Sequence, residues 1–247
     1  MVDIHCHLLP GVDDGADSLD SAVEMARMAA DSGVRAIIAT PHCNLPHDGE
    51  KNYISESLHR QFLQLRQAVS QAGIPLNIYA GCEVLCSPDV PDLLASGKLL
   101  TLAGSRYLLL EFFFDEDLDY MDRMLRAVSE LDVVPVIAHP ERYEAVQRLP
   151  QVVERWFRDG YIIQLNKGSI LGRLGRSAAH TAHWILSRGL AHTVASDAHS
   201  PEVRTTRMTE LIHYLSEVCS EPYLDVLLER NPRRILENRP ILHPDEI

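Results

Sequence analysis

Cysteine is scarce in this chain and does not come in pairs. Five residues, an odd number without paired spacing, do not read as a disulfide framework and point to a reducing cytoplasm. Positive charge is also in deficit. Against 35 Asp and Glu there are 23 Lys and Arg, a formal charge of −12 that argues against nucleic acid or an anionic membrane surface as the main partner. No apolar run reaches membrane-spanning length, and strand-like sequence begins at Met1, where a signal peptide would otherwise lie. Internal repeats and low-complexity segments are missing too. What remains is a globular composition, 46% hydrophobic over 247 residues, enough for one large α/β barrel or two small domains with a sizeable core.

The stretch Val2–Asp14, VDIHCHLLPGVDD, organises the rest. Alternating apolar and polar residues over 2–7 predict a buried strand. On it His5 and His7 share one face and Cys6 takes the other. Two imidazoles on one face at a strand's C-terminal end can hold one divalent metal. A bend at Pro10–Gly11 returns Asp13 and Asp14 over the same end. His-x-His alone is a weak signal, and its weight comes from later strands that end in the same residue types.

Six further strands are predicted: Val34–Thr40, Leu76–Ala80, Tyr107–Glu111, Val133–Ala138, Tyr161–Asn166 and Ala191–Ala195. Helical patterns separate them. Ser18 caps the first helix and Gly33 ends it, Pro150 and Gly160 bracket a later one, and Asn231-Pro232 opens the last. The polar loop 43–51, with His47 as a solvated residue, reads as a mobile lid, and 167–175 as a Gly-bearing loop. Seven strand-then-helix units without a long linker predict an α/β barrel of parallel strands with chemistry at the strands' C-terminal face.

The strand ends carry His5, His7, Asp14, His42, Glu83, Glu111, His139, Asp197 and His199. Singly, each has an ordinary explanation, as a helix cap or as an imidazole satisfied by a carbonyl. Glu111 inside LLLEFFF resists it, because a carboxylate there is buried unpaired unless a cation or donors meet it. Four carboxylates and five neutral imidazoles with three divalent metals leave a local charge of about +2, which favours a dianionic substrate such as a phosphate monoester. Imidazole and carboxylate without thiolate suit manganese, iron or zinc.

In this order, DIHCHLLPGVDDGA, TPH, GCE, LLLEF, HPERY and SDAH resemble the PHP (polymerase and histidinol phosphatase) superfamily. Within it they are most similar to the bacterial protein-tyrosine phosphatases of capsule and exopolysaccharide operons. The likeness runs from Met1 to about Arg204 and, with NPRRILENRP, almost to the end. It implies a distorted (β/α)7 TIM-like barrel, the PHP fold, with three divalent metals, usually manganese. It further implies that His5, His7, Glu83 and Asp197 hold the first metal, that Glu83 bridges to a second shared with Glu111 and His139, and that Asp14, His42 and His199 hold the third. Only the resemblance prefers Asp14 to Asp13. Arg142 and Arg204 fall where the family binds phosphate, with a surface salt bridge as the lesser alternative for each.

The activity so implied is hydrolysis of phosphotyrosine by a metal-activated hydroxide, on a bacterial tyrosine kinase controlling polysaccharide export. No cysteine is followed six residues later by arginine, so the loop of cysteine-based tyrosine phosphatases is missing. Three rivals share part of the pattern. A small-molecule phosphatase such as histidinol phosphatase has the same metal set, and a non-catalytic PHP module would be expected to have lost ligands. A metal-dependent amidohydrolase usually bridges its metals with a carboxylated lysine, whereas here the fourth strand offers Glu111.

Overall fold

The computed structural model describes residues 1–46 and 51–243, so His47 and residues 48–50 of the expected lid lie outside the described residues. Short runs rich in Val, Ile, Leu and Ala form strands, most of them buried on both faces with Asn77–Ala80 exposed on one, and amphipathic segments wrap them as helices. The first part of the chain gives β1 (Val2–Cys6), α1 (Leu19–Asp31), β2 (Ala36–Ala39), β3 (His42–Cys43), α2 (Glu56–Gln71), β4 (Asn77–Ala80), β5 (Glu83–Leu85) and α3 (Val90–Ala95). Then come β6 (Tyr107–Glu111), α4 (Leu118–Ser129), β7 (Val134–Ala138), α5 (Glu144–Arg148), α6 (Val152–Arg158) and β8 (Ile162–Asn166). The chain ends with α7 (Lys167–Ile170), α8 (Arg176–Ser187), β9 (Thr193–Ala195), α9 (Thr209–Val218), α10 (Glu221–Asp225) and α11 (Asn231–Leu236). The expected loop after β8 therefore opens with a helical turn.

All strand pairs among the described residues are parallel, ordered β1-β2-β4 and β3-β5-β6-β7-β8-β9. The two sheets are one wall, because β2 runs on into β3 and β4 into β5. Pro41, which has no N–H to give, separates the first pair. Gly81 begins the gap in the second, where a Cβ would lie 2.8 Å from Ile38 Cγ2. Hydrogen bonds from Gly81 N to Ala39 O (3.0 Å) and from Glu83 N to Pro41 O (3.1 Å) carry the ladder across both gaps. The seven expected strand positions are thus present, two of them interrupted once. The barrel closes through Asp197 N to His5 O and His7 N to Ala198 O, both 2.9 Å. It is a distorted α/β barrel of the expected TIM-like kind.

Two apolar layers follow from strand alternation. Val2, Ile4, Ile38, Leu109, Val136 and Ile162 fill the barrel, and Ile235 of α11 plugs its floor. Ile37, Leu108, Leu110, Ile137, Ile163 and Val194 face outward onto helix residues such as Met25, Leu65, Leu125 and Trp156. Strict alternation would put Ile4 on the face opposite His5. Instead the β1–β2 register slips between Asp3 and Cys6, a bulge that turns His5 and His7 inward while Cys6 joins the outer layer. At the floor Tyr107 Oη donates to Arg239 O (2.8 Å), and buried Asn231 bonds His192 O and Leu242 O, fastening the C-terminal segment.

Candidate metal centre

The bulge in β1 sets the centre of the mouth. His5 Nδ1 pairs with Gln164 Oε1 at 2.8 Å and His7 Nδ1 with Asp13 Oδ2 at 2.7 Å. Each acceptor fixes the proton on Nδ1 and leaves the Nε2 lone pair aimed at the barrel axis. The two Nε2 atoms lie 3.2 Å apart. Glu83 Oε2 is 3.1 Å from the first and 3.2 Å from the second, and Asp197 Oδ1 is 3.4 and 3.5 Å away. Four ligands about 2.1 Å from one ion, arranged as a tetrahedron, stand about 3.4 Å from each other. The His–His and His–carboxylate separations here are of that size, as donors shared by one transition-metal ion require.

The remaining strand ends surround this point. Glu83 Oε1 meets His139 Nε2 at 2.8 Å, and Glu111 Oε1 lies 3.6 Å from the same nitrogen. His42 Nδ1 faces Glu83 Oε2 (3.2 Å) and Glu111 Oε2 (3.3 Å), while its Nε2 lies 3.5 Å from Asp14 Oδ1. His199 Nε2 approaches that same oxygen at 3.4 Å. All nine residues thus come together. Asp13 and Asp14 also separate: Asp13 turns to His7 and to the backbone N–H of His42 and Gly15, and Asp14 turns into the mouth. His139 and Asp197 hold left-handed backbone, φ 35° and 47°, a strain of order 1–3 kcal/mol each.

The cluster is built to receive positive charge. Carboxylate oxygens of Glu83 and Glu111 lie within 4.8 Å of one another beside His42. At that spacing they repel by about 3 kcal/mol at an effective dielectric near 20. Burial would push the Glu83 carboxyl up, but the imidazoles of His5 and His42 outweigh it and hold it well below the usual carboxylate range. Asp197 is buried too and is held low by His5, His7 and Arg204. Burial works against a charged His42, yet Glu83 and Glu111 raise it to about 9.

Arg142 Nη1 lies 3.5 Å from Asp197 Oδ2, and Arg204 Nη2 donates to the same oxygen. His199 N and Ser200 N donate to Arg204 O, a turn that brings this arginine back over the mouth. Both arginines line a cleft of about 260 Å³ with Asp14, His42, Glu83, Glu111, His139, Asp197 and His199. The cysteine beside the two strand histidines has no such access. Cys6 is fully buried and burial pushes its thiol up, so it supplies no thiolate.

A family model described as capsular polysaccharide synthesis, CpsB/CapC, matches residues 1–237. The chain belongs to the CpsB/CapC family. It is 34% identical over 242 residues to the tyrosine-protein phosphatase YwqE of Bacillus subtilis, covering 98% of this chain and 93% of that protein. With the tyrosine-protein phosphatase CpsB of Streptococcus pneumoniae it shares 29% over 241 residues, 96% of this chain and 98% of the other. Among solved structures it matches one from work on YwqE from Bacillus subtilis and CpsB from Streptococcus pneumoniae, described as unique metal-dependent tyrosine phosphatases. The TM-score is 0.89 at 33% identity, over 98% of this chain and 96% of that one. With the phosphotriesterase from Mycobacterium tuberculosis it shares the fold alone, with a TM-score of 0.60 at 13% identity over 98% and 94% of the two chains. The resemblance expected from the motifs is borne out at the level of the family.

Behind the mouth of this CpsB/CapC chain stands a second tier that the motifs did not single out. Gln164 Nε2 donates to Asn166 Oδ1 (2.9 Å) and Asn166 Nδ2 donates to Asp197 Oδ2, which links His5 to Asp197 through two amides. Their signal is period two: in IIQLN, Gln164 and Asn166 share the inward face with Ile162. Tyr143 Oη donates to Ala138 O (2.8 Å) and accepts from Phe112 N (3.1 Å), clamping the ends of β6 and β7 beside Glu111 and His139. Lys167, after β8, gives its Nζ to Thr205 O and Arg207 O (3.1 Å) and so secures the segment behind Arg204.

Proposed function

We propose that the chain is a metal-dependent protein-tyrosine phosphatase, a single domain of 1–247 that acts in the cytoplasm on a bacterial tyrosine kinase controlling capsule or exopolysaccharide synthesis. The observation that carries this reading is the His5–His7–Glu83–Asp197 donor set, whose His–His and His–carboxylate spacings suit one metal ion, inside a family whose relatives are named tyrosine phosphatases. His5, His7, Glu83 and Asp197 would hold a first ion; Glu83, Glu111 and His139 a second; Asp14, His42 and His199 a third, with manganese the expected metal and iron or zinc able to replace it. His42 stands between the second and third positions, since its two nitrogens face different carboxylates. When bound, divalent cations supply Lewis acidity and hydroxide at neutral pH.

This chain's own residues do the rest. Asp13 and Gln164 keep His7 and His5 in one tautomer and orientation. Arg142 and Arg204 bind phosphoryl oxygens and offset charge as it develops, a role supported by their convergence on one carboxylate oxygen. Tyrosinate, with a pKa near ~10, leaves without a strong general acid, and none is assigned. The test is a side-by-side assay of a phosphotyrosine peptide and histidinol phosphate before and after chelation. Phosphotyrosine should have the higher kcat/KM, chelation should abolish activity, manganese should restore it, and iodoacetamide should leave it nearly intact. A wide preference for histidinol phosphate would move the protein to the small-molecule phosphatases. Loss of activity on thiol alkylation, with metal retained, would remove the metal mechanism.

A further inference from the structure

The lining of the cleft is mixed. Beside its charged residues stand Leu45, Leu85, Phe112, Phe113 and Phe114. Phe112 is buried, but Phe113 and Phe114 are 44% and 43% exposed, two large apolar rings kept in water at the rim of a polar site. Their backbone is fastened: Phe113 O accepts from Glu116 N (3.0 Å), Phe114 O from Glu144 N (2.8 Å), and Phe112 N donates to Tyr143 Oη. The rings differ in what they already touch. Phe114 carries the Arg142 guanidinium 4.4 Å from its centroid and lies 6.2 Å from the His139 ring, whereas Phe113 has no ring or cation partner among the described residues. Phe113 is two residues beyond Glu111, at most about 7 Å further along the chain, a separation that an aryl ester can bridge from a phosphoryl group held at the carboxylates.

We propose that Phe113 is the contact for the aromatic group of an aryl phosphate monoester, and that Phe114 is a positioning residue that holds Arg142 over the cleft. The proposal rests on the phosphatase reading and adds which side chains choose among phosphate esters. A ring entering the cleft meets the Phe113 ring in an offset or edge-to-face arrangement, while an alkyl ester gains only apolar contact. Arg142 stays over the Phe114 face through cation–π attraction, so its donors are aimed before substrate arrives.

The experiment uses manganese-loaded protein and two non-hydrolysable probes, phenylphosphonate and methylphosphonate, with binding read by calorimetry. Wild type should bind the phenyl probe about tenfold more tightly. Phe113→Ala should shrink that preference to about twofold with methylphosphonate binding unchanged, and Phe113→Tyr should restore it. Phe114→Ala should weaken both probes alike, and should cause no further loss in an Arg142→Ala background, as a residue acting through Arg142 must. Equal loss of both probes in Phe113→Ala, or an unchanged preference, overturns the aryl contact. Additive losses in the Phe114–Arg142 pair overturn the positioning role. A wild type that hydrolyses phosphotyrosine but binds the two probes equally removes the subsite and leaves the phosphatase reading standing. Failure to hydrolyse any phosphate monoester removes both.

Discussion

At the mouth of the barrel, His5 and His7 lie 3.1 and 3.2 Å from Glu83 Oε2, and carboxylates raise both imidazoles against the burial that opposes their charge. At the floor, His192 stacks on Phe157 with centroids 4.6 Å apart, and burial followed by nearby His243 lowers it to about 3. The same side chain, fully buried in both places, is drawn toward positive charge at one end and kept neutral at the other. The difference lies in the strand residues around it. Inward positions below the mouth are apolar, among them Val2, Ile4, Tyr107 and Leu109, and at the mouth they become Gln164, Asn166 and Glu111. One end is arranged to hold the chain together and the other to hold cations.

The largest effect that would test this division is at the mouth. His5→Ala removes a direct donor, so it should lower bound metal and cut kcat/KM well beyond the roughly 10–100-fold that loss of a supporting residue costs. Elemental analysis with kinetics checks it, and full metal content with wild-type rates would end the proposed ligand set. At the floor, Ile235→Ala should instead reduce the unfolding free energy by about 2–5 kcal/mol, as large-to-small changes in packed cores do. Metal content and the specific activity of its folded fraction should stay at the wild-type level. If Ile235→Ala lost metal without losing stability, the two ends would not be separable.

The mouth was more legible in the sequence than its supports. Residues such as His139 and Asp197 sit where apolar runs stop, and no apolar environment accommodates them singly, so their meeting at one place could be anticipated. The bulge in β1 could not. Simple alternation gave the correct common face for His5 and His7 but the wrong partners for Ile4, because an extra residue in a strand leaves no trace in composition. Gln164 and Asn166 escaped notice for a different reason: an amide in a strand serves solvent, ladder or ligand equally well, and only the fold shows that this pair joins His5 to Asp197. The interruptions at Pro41 and Gly81 were hidden because each strand position continues past its gap.

Within the mouth, cation-holding and phosphate-holding residues should also be separable. Arg142→Ala and Arg204→Ala each remove charge-assisted hydrogen bonds worth roughly 1.5–3 kcal/mol, so kcat/KM should fall about ten- to a hundredfold. Metal content should not change, and inhibition by free phosphate should weaken. Unaltered kinetics and phosphate inhibition in Arg142→Ala would make that residue only a partner of Asp197 and Phe114.

The smallest effect belongs to the floor. His192 Nδ1 accepts the Ile163 N–H at 3.0 Å, so the folded protein needs the ring neutral on that side. Its folded pKa of about 3 lies below the ordinary 6.5. A group depressed in this way costs nothing above pH 6.5, and stability is lost as the pH falls through 6.5 toward 3. One unit below the ordinary value, at pH 5.5, the loss from this residue is about 1.4 kcal/mol. His192→Asn supplies an amide oxygen that can accept the same Ile163 N–H and does not titrate. Urea unfolding at pH 7.5 and 5.5 should therefore show a loss about 1.4 kcal/mol smaller in His192→Asn than in wild type, whatever the absolute stabilities. The mouth histidines titrate in both proteins and cancel in the comparison. Parallel pH dependence would mean that His192 takes up a proton in the folded state as readily as in the unfolded chain, and the contrast between the two ends would then rest on the mouth alone.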